Sequence, residues 1–221
     1  LLPVLREMDG IHRILARGDP LPSFDFHVPL LSLPGIFETT PKSIPKAVPY
    51  IYASDNSNVL LPFSESTLKI GMVWAGDPRN PRNPSRTIGL ASLKKILNVP
   101  GCVFYSLQHG ECGDQIINEG LRDNIDDLRP LMKDFGATAA LVNQMDLVIS
   151  VCTSVAHLSG GMGVRTWVLL AHDADWRWLL NRSDSPWYPS VRLFRQKTPD
   201  CWSEVVDQVF QSLELFAARE N

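Results

Sequence analysis

The sequence predicts an α/β fold in which a parallel sheet is covered by helices on both faces. Three observations lead there. From Leu68 onward short apolar runs alternate with helical patterns, as a parallel sheet with crossover helices requires. The run Leu147, Val148, Ile149 and Val151 is almost continuously apolar, as in a strand buried on both sides. That strand then stops at Thr153-Ser154, a pair suited to open a helix.

In chain order, the apolar runs predict strands at residues 68–74, 103–107, 147–151, 166–170 and 191–194, with a weaker one at 125–128. Between and after them fall helices at 90–98, 137–145, 154–162 and 202–218. The last has the clearest period, because Val205, Val206, Val209, Phe210, Leu213 and Phe216 form one apolar stripe. A stripe so wide predicts that part of it is exposed, or is covered by residues 1–66 or by a neighbouring chain.

The first 66 residues differ in kind. They hold nine of the 17 prolines (Pro3, Pro20, Pro22, Pro29, Pro34, Pro41, Pro45, Pro49, Pro62), and proline removes a backbone donor and breaks helices. Only residues 4–15 have room for a helix of note. A separate core is not expected, so 1–66 reads as the remnant of a preceding domain plus a linker, and 67–221 as the α/β domain.

Composition sets outer bounds. At 221 residues, 44% hydrophobic, 20% charged and net charge -3, the chain is that of a globular protein without the basic face of a nucleic-acid binder. No apolar stretch reaches the ~20 residues of a membrane span. A cytoplasmic location is expected, and Cys102, Cys112, Cys152 and Cys201 lack paired metal-ligand spacing, so they read as reduced thiols.

The chemistry concentrates at strand ends. In the run Asp-Leu-Val-Ile-Ser-Val-Cys-Thr-Ser-Val-Ala-His (146–157), Thr153 is a natural N-cap whose hydroxyl can accept from a first-turn amide. The amides of Ser154 and Val155, at the positive end of the helix, then face a phosphate. His157, three positions further on, can touch a phosphate oxygen or satisfy a carbonyl. Cys152 directly precedes the helix. The polar loop 75–87 carries Arg79, Arg82 and Arg86 and reads as a mobile phosphate-facing loop. Arg86 beside Thr87 is the preferred partner for a diphosphate, because a guanidinium forks across two oxygens. Gln108, after the next strand, can read a base edge. Residues 171–188 hold Asp173, Asp175, Trp176, Arg177, Trp178, Trp187 and Tyr188, a tryptophan density that calls for burial or a planar ligand. The cluster Gly160-Gly161-Met162-Gly163 follows its helix instead of opening it, so the dinucleotide fingerprint does not fit.

Several blocks occur together in order: Lys69-Ile70-Gly71-Met72-Val73-Trp74-Ala75-Gly76, Phe104-Tyr105-Ser106-Leu107-Gln108, Asp134-Phe135 with Thr138-Ala139-Ala140-Leu141, Thr153 through His157, and Asp175-Trp176-Arg177-Trp178 through Trp187-Tyr188-Pro189. They resemble the glycosyltransferase domain that follows tetratricopeptide repeats in many bacterial proteins. That domain is related to the ADP-heptose lipopolysaccharide heptosyltransferases. The resemblance, which extends to Phe24-Asp25-Phe26-His27, implies a GT-B architecture of two Rossmann-like domains, of which this chain holds the second. It also implies a nucleotide-sugar donor, no cofactor, and an acceptor of unknown identity. Transfer would be metal-independent, with the leaving diphosphate held by Thr153, Ser154 and Arg86. The nucleotide-sugar site would include Asp175, and the residue before Thr153, usually an Asp able to hold sugar hydroxyls in the heptosyltransferases, is Cys152 here. That departure keeps a second expectation open, a non-catalytic module used for protein interaction beside helical repeats.

Overall fold

The computed structural model describes residues 1–6, 8–53, 60–61 and 67–220. Its centre is a six-stranded, all-parallel sheet: β1 (Leu68–Val73), β2 (Cys102–Ser106), β3 (Asp126–Asp127), β4 (Leu147–Val151), β5 (Thr166–Leu170) and β6 (Val191–Arg195), in the order β3-β2-β1-β4-β5-β6. The α-helices are α1 (Leu2–Leu5), α2 (Leu33–Ile36), α3 (Asn83–Arg86), α4 (Gln115–Asn118), α5 (Phe135–Val142), α6 (Ser154–Gly161) and α7 (Ser203–Glu220). This is a doubly wound Rossmann-like sheet, as the alternation of elements predicts.

The period-2 alternation of strand side chains divides the interior in two. Ile70, Met72 and Trp74 of β1 and its end join Phe104, Leu147, Ile149 and Trp167 beneath α7. Val73, Tyr105 and Val148 point to the other face and meet Leu141, Val142, Val155 and Leu158 of α5 and α6. Asp134 opens α5 by accepting from the Ala137 amide at 2.9 Å, a standard N-cap.

Three expectations are corrected. Residues 90–98 form two 3₁₀ turns, Leu90–Leu93 and Ile96–Asn98, instead of an α-helix. Leu90, Leu93, Ile96 and Val99 recur every three residues and all are buried, a spacing that 3₁₀ turns place on one face. The helix expected at 4–15 is the single turn α1 (Leu2–Leu5): Gly10 sits at φ +80°, and the described residues from there to 15 form no helix. The stripe of α7 is not left open. Val205, Val206, Val209 and Leu213 are buried against the sheet, while Phe210 lies under Lys95 (5.6 Å) and Phe216 under Arg165 (4.6 Å). The cationic heads thereby cover part of the rim of the stripe, where both rings are half-buried.

Before residue 67 the buried apolar side chains among those described are Val4 and Leu61, and both belong to the α5/α6 core. Tyr50 and Ile51 run along α6, donating to the Gly161 carbonyl at 2.9 and 3.3 Å. Phe24, Phe26, Leu30, Leu31 and Phe37 are exposed. The boundary expected at residue 66 lies outside the described residues, as does Pro62.

Candidate functional site

The sheet winds outward in two directions from β1 and β4, which lie side by side. Loops leaving their carboxyl ends must diverge, which opens the crevice where such sheets bind ligands. The loop after β1 and the turn after β4 meet there through Arg86. Its Nη1 donates to the Cys152 carbonyl at 2.9 Å, and its Nε approaches Asn83 Oδ1 at 3.4 Å. The end of the loop is held by hydrogen bonds: Thr87 Oγ1 donates to the Asn83 carbonyl at 2.8 Å and the Ile88 amide to the Trp74 carbonyl at 2.9 Å. Gly76 makes this possible, since a Cβ there would stand 2.5 Å from both Arg86 Nη2 and Asn83 Oδ1. Arg79, by contrast, turns away to pair with Asp77 at 2.7 Å in solvent.

Thr153 occupies the N-cap of α6 in extended backbone, but its hydroxyl makes no cap bond, which corrects the expectation. It lies 3.0 Å from Ser150 Oγ. Ser150 uses its one hydrogen on the Val151 carbonyl (2.7 Å), so Thr153 is the donor of that pair. The consequence favours an anion, because no side chain takes the first-turn amides of Ser154 and Val155. Both remain at the positive end of an eight-residue helix.

Behind this turn lies a linked aromatic group. Trp178, fully buried, donates its Nε1 to Cys152 Sγ at 3.1 Å and stacks on His157 with ring centroids 5.0 Å apart and planes 15° from parallel. His157 Nδ1 lies 3.0 Å from the Tyr188 hydroxyl. So Nδ1 of His157 meets a phenol and its ring an indole, which takes the place of the carbonyl partner expected for it. Burial, assisted by Arg177, pushes its pKa down to about 4, and the imidazole is neutral at pH 7. Burial also raises the Cys152 thiol, against the opposing hydrogen bond from Trp178, so this cysteine is not an activated nucleophile.

Asp175 caps the 3₁₀ turn Trp176–Trp178, accepting from the Arg177 amide and from Arg177 Nη1, each at 3.0 Å. Burial would raise its carboxyl, but these Arg177 bonds outweigh that and hold it below its ordinary value. Asp173-Ala174-Asp175 has the Asp-x-Asp spacing of many metal-dependent transferases, a triplet that the metal-free expectation leaves out of account. Here one of its two carboxylates already faces a guanidinium, and no group of three or more His, Cys, Asp or Glu among the described residues is placed to hold a metal ion.

Gln108 is 2% exposed and spent within the protein. Its Oε1 accepts from the Trp74 and Ala75 amides (3.0 and 2.8 Å) while Nε2 donates to the Ala75 and His109 carbonyls (3.0 and 2.9 Å). It ties the loops after β1 and β2 together and offers nothing to a base edge, so the base-reading expectation is replaced by a positioning one.

Two clefts flank the Asp175–Arg177 pair. One, about 80 Å³, lies between Arg86, Cys152, Ala171, Asp173 and Asp175. The other, about 400 Å³, is bounded by His157, Arg177, Trp187 and Tyr188. A larger cavity of about 590 Å³ lies at the opposite, amino edge of the strands, where its Arg165 and Glu220 pair with each other at 3.2 Å. It has neither a helix N-terminus nor a switch point, so the carboxyl edge is the better candidate despite the smaller volumes.

Fold and edge geometry together define a doubly wound, Rossmann-like α/β domain. The solved structure of E. coli ADP-heptose LPS heptosyltransferase II shares the fold with a TM-score of 0.51 at 14% identity, over 71% of this chain and 48% of that one. Protein FlbA of Caulobacter vibrioides is 29% identical over 154 residues, 68% of this chain and 26% of that protein. The chain thus spans about a quarter of the length of this curated relative. No family model matches the chain. Among the described residues no helix is long and apolar enough to cross a membrane.

Proposed function

We propose that residues 67–221 form the nucleotide-sugar-binding domain of a glycosyltransferase, with residues 1–66 the remnant of the acceptor-binding half. The observation that carries this is the Arg86 bridge at the switch point. It sets a guanidinium beside the uncapped amide end of α6, so two sources of positive potential converge where β1 and β4 end. A nucleoside diphosphate is the leaving group such a pair stabilises as charge develops on transfer, without a metal ion. Thr153, Ser154, Val155 and Arg86 hold the diphosphate, while Cys152, His157 and Asp175 shape the adjoining wall. Gln108 fixes the loops.

Calorimetric titration with UDP, GDP and ADP and their sugars, ADP-heptose included, tests the reading. Arg86→Ala is expected to weaken diphosphate binding by roughly 1–3 kcal/mol, the range of a charge-assisted hydrogen bond. Gly76→Ala should do the same by displacing Arg86, and EDTA should leave affinity intact. An unchanged dissociation constant in Arg86→Ala, or a strict magnesium requirement, contradicts it. A second reading, a non-catalytic interaction module, is favoured by Cys152, whose thiol is turned to Trp178 at the position where the family resemblance implies a carboxylate. Failure of every nucleotide and nucleotide-sugar to bind selects it.

A further inference from the structure

The 400 Å³ cleft beside the diphosphate site is unlike it in chemistry. Its polar atoms are mostly turned inward. Trp187 donates its Nε1 to the Arg177 carbonyl at 2.8 Å, which locks the indole and leaves its ring as the contact surface. Tyr188 directs its hydroxyl to His157 and Tyr50. Its ring rests on α6 at Gly160, where an added Cβ would come within 2.7 Å of it. Trp176, 61% exposed, stands edge-on to Trp187 with centroids 6.1 Å apart and planes at 79°.

The one cation on this wall is already balanced. Arg177 gives an N–H to Asp175 at 3.0 Å and stacks over Trp176 at 4.6 Å. It therefore presents oriented donors without net charge, and the cleft is no anion trap. An aromatic wall with locked rings, a neutral imidazole and a fork of donors on the rim suits a ligand with one C–H face and a border of hydroxyl oxygens.

We propose that the cleft bounded by His157, Arg177, Trp187 and Tyr188 is a subsite for a neutral pyranose, which lays its C–H face on the aromatic wall and accepts from Arg177 through its hydroxyls. As part of a sugar-transferring site it rests on the proposed function, but its stacking contact is separate from the diphosphate contact. The sugar can come from the donor or from a glycan acceptor, and the chemistry of the wall is the same for both.

The test uses the 221-residue chain and proton–nitrogen correlation spectra of its tryptophan indoles, with the Trp187 signal assigned by its loss in Trp187→Phe. The probes are the methyl glycosides of glucose, galactose, mannose and N-acetylglucosamine, then UDP, then UDP-N-acetylglucosamine. At least one methyl glycoside is expected to shift Trp187, and Trp187→Ala to weaken that glycoside about tenfold. Trp187→Phe, which keeps a stacking ring, should retain most of the affinity. UDP-N-acetylglucosamine displacing the glycoside marks a donor subsite; simultaneous binding marks an acceptor subsite. Silence of Trp187 toward all four glycosides overturns the proposal, as does an equal shift with UDP alone, which signifies a nucleobase slot. Because Arg86→Ala should weaken UDP binding while sparing the glycoside response, loss of the diphosphate reading and loss of the pyranose subsite give different results.

Discussion

Trp178→Ala is expected to cost about 3–5 kcal/mol of folding stability, the range for removing a large buried aromatic. The indole is fully buried among Ala156, Val168, Leu170, Tyr188 and Leu193, and it holds both the Cys152 thiol and the His157 ring. Truncation leaves a cavity between α6 and the ends of β5 and β6 and frees the residue that precedes Thr153. Urea denaturation should show the lowered midpoint with the slope unchanged. Trp178→Phe, which keeps the stack but not the Nε1 donor, should lose distinctly less. A Trp178→Ala midpoint within experimental error of the parent chain would contradict the role given to this residue in supporting the turn after β4.

The second large effect is a pH dependence centred on His157. In the unfolded chain this imidazole takes up a proton near pH 6.5, whereas in the folded chain it does so only near 4. Acid therefore favours the unfolded state across that interval, and the stability present above pH 6.5 is lost as pH falls toward about 4. The loss attributable to this group is about 3 kcal/mol. His109, lowered by burial as well, adds in the same sense, while Asp175, with its carboxyl held below the ordinary value, withdraws stability only at still lower pH. His157→Phe, which retains a ring against Trp178 but cannot titrate, should flatten the profile between about pH 6.5 and 4. Denaturation midpoints for both chains across that range measure it, and parallel profiles would contradict the buried, neutral state of His157.

Much of the fold can be read from the chain because its strands are buried on both faces. β4 and β5 are continuous apolar runs bounded by polar turns, and Leu147–Val151 and Thr166–Leu170 form as the pattern dictates. Where burial came with a period of three, as at Leu90, Leu93 and Ile96, the same residues fit either helix type and only packing chose. The site is legible in its backbone part. A strand ending at a Thr-Ser pair fixes where a helix opens, and the arginine-bearing loop after β1 must meet it once the sheet is doubly wound.

Side-chain partnerships were not legible, since they depend on contacts distant in sequence. Gln108 is taken by amides 34 and 33 residues away, and Arg86 by a carbonyl 66 residues away. The hydroxyl of Thr153 is drawn to Ser150, three residues back on the same strand end, in competition with the cap bond. The tryptophans of residues 176–187 signal burial or a planar ligand in the sequence, with core packing the commoner reading for any one of them. The structure assigns Trp178 to the core and leaves Trp176 and part of Trp187 at the surface.

The central claim is that a nucleoside diphosphate binds at the carboxyl edge of the sheet, over the amides that open α6. Backbone amide shifts of the chain titrated with UDP, GDP or ADP test it most directly, because each cavity has its own set of reporters. The account predicts the largest shifts at Thr153, Ser154, Val155 and Arg86, with little change at Arg165, Ser190 or Glu220 around the amino-edge cavity. Shifts confined to that opposite edge, or no response at Ser154 and Val155 to any of the three diphosphates, would contradict it.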